Sequence, residues 1–255
     1  MYYLLSSTRY DHYLLSLDWN RDDDGPSPFF LLPYHYDRLV DASRQHKWDR
    51  ATTSLSYSSL KSSCLQAVNS YSSDDENPTA FRIRITISQM GEVSVSATPL
   101  SAFISDPTAA SLFNSLSETS CNNPVVSLRL DSEATPTSIF TTTKTTQRSL
   151  YDQARIRAAI PPLSPTEDVL LFNESNLVME TSIFNVAFHR SSVWLTPAAS
   201  TGCLPGVLRR WLLTQGRICE DAEHILTKDS LMDGEWVLLF NGVQGCRLGR
   251  VILSP

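Results

Sequence analysis

The sequence predicts an α+β protein in two halves, and three observations predict it. Apolar and polar residues alternate with period two in short runs, among them Phe81-Arg82-Ile83-Arg84-Ile85-Thr86-Ile87 and Val125 to Leu130, as half-buried strands require. Tyr34 to Trp48 and Ser149 to Ile160 read instead as helices, the second closed by Pro161-Pro162. Between the halves, Asp131 to Thr146 is rich in Ser and Thr with little periodicity, which marks a linker. The expected organisation is an N-terminal α+β domain over 1–134, a linker over 135–146, and a C-terminal α/β domain over 147–255.

Taken in order, Tyr2 to Tyr10 and Tyr13 to Trp19 read as two short aromatic-rich strands, with Asp11-His12 turning between them. Arg9, Asp11 and His12 interrupt this apolar opening and no basic n-region or small-residue cleavage site follows, so it is not read as a signal peptide. Asn20 to Pro28, with its run Asp22-Asp23-Asp24, reads as a solvated loop tip. Phe29 to Leu32 is a short buried run that stops at Pro33. In the helix that follows, Leu39, Ala42 and His46 lie near helical spacing while Arg38 and Asp41 face elsewhere. Leu60, Cys64, Leu65 and Val68 carry a second helix over Leu55 to Tyr71, and Ser72 to Pro78 is a polar loop. Met90-Gly91 turns the strand at 81–87 back into Val93 to Ala97. Beyond the linker come strands at Asp168 to Asn173, Leu177 to His189 and Val193 to Thr196, and a helix at Pro205 to Thr214 with Pro near its first turn. Ile218-Cys219, a short helix near Lys228 to Met232 and a strand at Trp236 to Phe240 complete the chain.

Composition narrows the function classes. With 255 residues, 42% of them hydrophobic, the chain buries a sizeable core and is not disordered. A formal net charge of -6 argues against nucleic acid binding through bulk charge. No apolar run approaches the length that spans a bilayer, so no membrane partner is expected. Five scattered Cys without a C-x-x-C fit a reducing, cytoplasmic setting. There is no G-x-G-x-x-G, no P-loop and no G-x-S-x-G, and the five His form no i,i+4 pair, so no metal site is expected.

What is left is a set of isolated polar residues. Lys144 sits in Thr141-Thr142-Thr143-Lys144-Thr145-Thr146-Gln147-Arg148; alone, it reads as an exposed linker lysine. Glu180 sits in the apolar run Val178-Met179-Glu180-Thr181-Ser182-Ile183-Phe184-Asn185-Val186, where a buried carboxylate needs partners unless it lies at an edge. Arg38, in His35-Tyr36-Asp37-Arg38-Leu39, would ordinarily make a surface pair. Leu204-Pro205-Gly206-Val207-Leu208-Arg209 feeds a helix whose first N–H groups are available to an anion.

The order of these motifs, H-x-x-R-L, K-T-T-x-R, M-E-T-S-x-x-N and L-P-G-V-x-R, resembles the class IV family of pyridoxal-phosphate enzymes over nearly the whole chain. Lys144 and Glu180 are 36 residues apart (180 minus 144), close to the family's spacing. The resemblance implies a two-domain fold of type IV, similar to D-amino-acid aminotransferase, and the cofactor pyridoxal 5'-phosphate. It implies Lys144 as the lysine that bonds the cofactor and moves protons. It implies Glu180 as the acidic partner of the pyridine nitrogen, Arg38 as the phosphate's cation, and the Val207 and Leu208 amides as further phosphate donors. Many members carry a Thr where this chain has Leu208, and a Gly-Thr or Ser-Thr where it has Asn241-Gly242-Val243, with Gly242 at the cofactor.

Those lost hydroxyls, and the stretch Lys144, Thr145, Thr146, Arg148, Tyr151, Asp152, Ala154 and Arg155, are most similar to the aminodeoxychorismate lyase branch, including its fungal members. The expected reaction is then conversion of 4-amino-4-deoxychorismate to 4-aminobenzoate, a folate precursor, and pyruvate. Arg9 and Arg148 are the candidates for the substrate's carboxylates, with surface pairing as the alternative for each; a homodimer is implied by the resemblance. The alternatives are a class IV aminotransferase acting on branched-chain or D-amino acids through the same Lys144, Glu180 and Arg38, and a non-catalytic binding scaffold.

Overall fold

The first strand, β1 (Leu4–Asp11), is buried along nearly its whole length and ends where the Asp11 carboxylate accepts the Tyr13 N–H at 3.0 Å. That bond caps a 3-10 turn over His12–Ser16, so the strand expected over Tyr13 to Trp19 does not form and β1 takes a distant partner. The computed structural model describes residues 1–71, 78–112, 124–162 and 164–253; most of the polar loop expected at Ser72 to Pro78 lies outside them. Two units divide the chain: Met1–Asp106 with Thr143–Gln147, and Pro107–Thr142 with Arg148–Pro255.

In the first unit a short ribbon, β2 (Arg21–Asp22) with β3 (Gly25–Pro26), carries the acidic run. The run is not simply solvated, because Lys61 pairs with Asp22 at 2.8 Å and Asp24 at 2.6 Å, and the Asp22 carboxylate is buried. Helix α1 (Leu32–Gln45) has Pro33 in its first turn, where a missing N–H breaks no helical bond. α2 (Asp49–Ser54) follows, and α3 (Tyr57–Asn69) starts where the Ser56 side chain accepts the Ser59 N–H. β4 (Ala80–Ile87) pairs antiparallel with β1 from Leu4↔Ile87 to Asp11↔Ala80, and with β5 (Val93–Leu100) across a turn in which Gly91 adopts a φ of 84°. The alternation predicted for β4 is realised. Phe81, Ile83, Ile85 and Ile87 pack with Leu32, Leu39, Ala42 and Leu60, whereas Arg82 and Arg84 stay exposed. Each such side chain contributes about 1.5–3 kcal/mol by leaving water. The helical pattern of α1 misleads at one point: Arg38 does not face away from the core but is buried with His35.

The second unit is built on an eight-stranded sheet. In chain order its elements are β6 (Val126–Leu130), α4 (Ile139–Thr142), α5 (Ser149–Arg157), β7 (Glu167–Phe172), β8 (Val178–Thr181), β9 (Asn185–Arg190), β10 (Val193–Pro197), α6 (Val207–Thr214), β11 (Cys219–Asp221), β12 (Trp236–Asn241) and β13 (Gly245–Ile252). The sheet runs β11-β10-β9-β12-β13-β6-β7-β8. β8 and β9 stand five places apart in that order, about 24 Å on a flat sheet. Yet only residues 182–184 join them, and the chain from 181 to 185 reaches about 14 Å at most. The sheet must therefore curl on itself. The single strand expected over Leu177 to His189 is broken here because the Thr181 backbone and hydroxyl bond to Phe184, with amide bonds of 2.8 and 2.9 Å. β13, which runs parallel to β6, has no counterpart in the sequence reading; Gly245 and Gly249 weaken its strand signal. No described helix is long and apolar enough to cross a membrane.

Candidate active site

Lys144 is fixed by backbone pairing. Its carbonyl accepts the Leu5 N–H at 2.8 Å, and the Thr146 N–H donates to the Tyr3 carbonyl at 2.9 Å, so the segment lies antiparallel beside β1 around the pair Leu4↔Thr145. A segment that reads as linker in the sequence is thus a strand stub on the sheet of the first unit. Side chains of paired residues share a face, which puts Lys144 with Leu5 and Ser7, opposite to Thr143, Thr145 and Ser6. Ser7 is buried and its hydroxyl has no hydrogen-bond partner.

On the helix-covered face of β1, Arg38 donates to Ser6 Oγ at 2.6 Å, and Ser6 Oγ meets His35 Nδ1 at 2.8 Å. The serine oxygen accepts from the guanidinium and its hydroxyl donates to Nδ1, which puts the His35 proton on Nε2, a buried atom with no hydrogen-bond partner. Burial pushes the His35 pKa well below 6.5, and the charges of Arg38 and Lys144 push it further. In the first unit Arg38 and Lys144 both lie near enough to His35 for their charges to help keep it neutral.

In the second unit Glu180, on β8, is buried. Its Oε1 accepts the Tyr151 hydroxyl at 2.9 Å and the Leu204 N–H at 3.2 Å, and its Oε2 accepts from Asn185 Nδ2 at 3.1 Å. Three neutral donors stabilise the carboxylate, so Glu180 is no edge residue facing water. Burial, with the Glu180 charge and bond, holds the Tyr151 phenol well above its ordinary range. Burial also pushes the Cys203 thiol up to about 11, and Glu180 adds to the shift. Asn185 reaches past Glu180 to the Leu204 carbonyl at 2.8 Å and holds the loop that enters α6. A Cβ at Gly206 would stand 2.0 Å from Asn185 Oδ1, so glycine is required there. Val207 and Leu208 open α6, whose N-cap residue, Gly206, has no side chain to cap its first N–H groups. Arg209, last of the motif, is structural: it is buried, donates to the Pro197 carbonyl at 2.7 Å and pairs with Glu220 at 3.1 Å.

Gly242 lies in the turn between β12 and β13, where Asn241 Oδ1 accepts the Val243 and Gln244 amides at 2.9 and 2.8 Å. The Asn241 side chain also donates to the Ile183 carbonyl at 3.3 Å, tying this turn to the β8–β9 turn. Arg148 donates to the Ser182 carbonyl at 2.7 Å and lies over the Tyr151 ring. Arg9 is buried, paired with Asp11 at 2.8 Å, stacked on Phe103 and bonded to the Ser101 carbonyl. Its charge is thereby already neutralised inside the first unit. Four residues of these two separate clusters, Ser6 and His35 in the first unit and Tyr151 and Asn185 in the second, carry no assigned role in the sequence reading. His35 and Asn185 stand inside the quoted motifs, whereas nothing local marks Ser6 as Arg38's partner.

The family described as "Amino-transferase class IV" matches residues 22–252. The chain is 33% identical over 226 residues to the Schizosaccharomyces pombe protein named "Putative aminodeoxychorismate lyase", covering 89% of this chain and 86% of that one. It is 31% identical over 258 residues to the Saccharomyces cerevisiae "Aminodeoxychorismate lyase", covering 88% of this chain and 67% of that one. The crystal structure of the branched-chain amino acid aminotransferase from Escherichia coli shares the fold, with a TM-score of 0.64 at 15% identity over 98% of this chain and 76% of that one. The α+β architecture, with its curled eight-stranded sheet, is that of the fold type IV aminotransferases. By its sequence from residue 22 to 252, by its fold and by its relatives, the chain belongs to the class IV aminotransferase family.

Proposed function

We propose that this chain is a pyridoxal-phosphate-dependent lyase that converts 4-amino-4-deoxychorismate to 4-aminobenzoate and pyruvate, a step towards folate. The two yeast relatives bearing the lyase name support the substrate. The observation that carries the chemistry is the buried Glu180 carboxylate, kept ready by Tyr151, Asn185 and the Leu204 amide. The donor set fits the cofactor. Arg38 and the first amides of α6 suit a phosphate, Glu180 suits a protonated ring nitrogen, and the buried Ser7 hydroxyl and His35 N–H are polar atoms that the protein itself does not satisfy.

When bound, pyridoxal phosphate supplies an electron sink for negative charge at the carbon bearing the substrate's amine. Glu180 would hold a proton on the cofactor's ring nitrogen. In the first unit Arg38, braced by Ser6, would be the phosphate's cation, and in the second the Val207 and Leu208 amides and the Gly242 turn would be phosphate donors. Lys144 Nζ is the amine that would hold the cofactor and, when free, would take the proton from the amine-bearing carbon of the substrate. The electron pair of that carbon–hydrogen bond would become the new ring double bond of 4-aminobenzoate as the neighbouring carbon–oxygen bond breaks, its electrons leaving with the oxygen. The departing enol gains a proton as pyruvate, and aromatisation makes the step irreversible without an oxidant. Arg148, with guanidinium donors beyond the one spent on Ser182, meets a substrate carboxylate; Arg9, already neutralised by Asp11, is left out of this role. The enzyme is a cytoplasmic homodimer in this reading, as members of the family commonly are.

The test is a visible spectrum of purified protein with added pyridoxal phosphate, before and after borohydride, for wild type and Lys144→Ala, followed by product analysis. A band fixed by borohydride in wild type alone, with 4-aminobenzoate and pyruvate formed in equal amounts, is expected. Transfer of an amino group to a 2-oxo acid would make the chain an aminotransferase, and absence of any band would leave a binding scaffold.

A further inference from the structure

His46 closes α1, its backbone N–H donating to the Ala42 carbonyl at 2.9 Å. Both ring nitrogens are engaged, Nδ1 with the Tyr2 hydroxyl at 2.8 Å and Nε2 with Thr143 Oγ1 at 2.7 Å. The ring packs against Tyr2 and Trp48 with centroids 5.5 and 5.6 Å away. A Tyr2 hydroxyl that donates to Nδ1 leaves the Nε2 proton to donate to Thr143, an arrangement that suits a neutral imidazole. Burial lowers the His46 pKa and favours that form.

Thr143 is buried and directly precedes Lys144. The bonds to Leu5 and Tyr3 hold the backbone from the Lys144 carbonyl onward, and the His46 bond holds the residue before it. Thr143 and Lys144 lie on opposite faces of the strand stub, so anchoring the threonine towards α1 fixes the direction in which the lysine leaves the backbone. His46 is itself held by a helix end, a hydroxyl and two aromatic rings, and therefore acts as a rigid anchor.

Taking Lys144 as the cofactor-bearing lysine proposed above, we infer that His46 is a positioning residue, which sets the orientation and reactivity of Lys144 through its hydrogen bond to Thr143. It touches neither cofactor nor substrate. The inference rests on the assignment of Lys144, but part of its test does not need the cofactor.

In cofactor-free protein, the rate of reductive methylation at Lys144 is read by mass spectrometry for wild type, His46→Ala, His46→Gln, Thr143→Val and His46→Ala/Thr143→Val. In the same set, the rate of borohydride-fixed attachment of added pyridoxal phosphate is followed. Both rates should change on the order of tenfold in His46→Ala and equally in Thr143→Val. The double variant should add nothing, and His46→Gln, which keeps a donor, should recover part of the loss. A core-packing role would instead lower thermal stability with no matching effect of Thr143→Val. Unchanged Lys144 rates in folded Thr143→Val, or additive effects in the double variant, overturn the inference even if attachment at Lys144 is intact. No attachment in wild type would overturn the cofactor reading, while the methylation rates would still decide the His46 anchor.

Discussion

Glu180 and His35 are two buried titratable groups, each held by its neighbours. Tyr151, Asn185 and the Leu204 amide donate to the Glu180 carboxylate, which is proposed to face a protonated ring nitrogen. Glu180→Ala should therefore keep borohydride-fixed attachment at Lys144 but lower turnover by roughly 100-fold or more, measured as 4-aminobenzoate released. Full activity in that variant would remove Glu180 from the mechanism. His35 is held neutral by burial and by the charges of Arg38 and Lys144. The unfolded chain takes up a proton near pH 6.5, well above where the folded histidine does. This contribution to stability is thus complete above about pH 6.5 and is lost as pH falls, at up to about 1.4 kcal/mol per pH unit. His35→Gln should flatten the acid side of the stability curve of cofactor-free protein, followed by urea unfolding at several pH values. An unchanged slope would mean that the imidazole is protonated in the fold. Arg38 shows why the residue pattern alone misleads: its spacing predicts an outward helix position, yet Ser6, 32 positions away, gives it a partner inside.

Elements of the second unit are joined by buried polar bonds as well as by apolar packing. Arg155 on α5 pairs with Asp168 on β7 at 2.9 Å and donates to Ser182 Oγ at 2.9 Å, and Ser182 in turn donates to Asp168 at 2.5 Å. The helix, the strand and the turn after Glu180 are thereby one unit. Arg155→Met should cost about 3–5 kcal/mol in urea unfolding, because it leaves the buried Asp168 charge without its cation. A loss below 1 kcal/mol would mean that Asp168 takes up a proton instead. Gly206 sets the entry to α6. Gly206→Ala drives a methyl group into Asn185 and should cost about 1–3 kcal/mol, with weaker pyridoxal-phosphate retention because Asn185 also serves Glu180. Retention measured by dialysis and absorbance would fall with stability if both effects share Asn185. In the first unit, β4 and β5 were legible because a local turn joins strands with clean alternation. The strand expected over Tyr13 to Trp19 was not realised, because an Asp11 side-chain bond starts a 3-10 turn instead.

For the whole molecule, the homodimer proposed here predicts sedimentation at twice the chain's mass at micromolar concentration, and a monomer at that concentration would remove it. The acidic net charge of -6 sits beside two local concentrations of basic and N–H groups, Arg38 with Lys144 in one unit and the start of α6 in the other. Overall charge therefore says little about the anion such a protein takes, since short-range donors decide it.

The sequence by itself determined the class of fold, most helices and strands, and the order of chemically useful residues around Lys144, Glu180 and Arg38. Periodicity and motif order are local properties, readable one segment at a time. Long-range pairing alone set β1 beside β4, closed the eight-stranded sheet on itself and made the segment carrying Lys144 a strand stub bonded to His46 through Thr143. Those contacts join residues separated by up to about 140 positions. Their gain comes from pairing and burial after the chain has closed, and no local propensity encodes it.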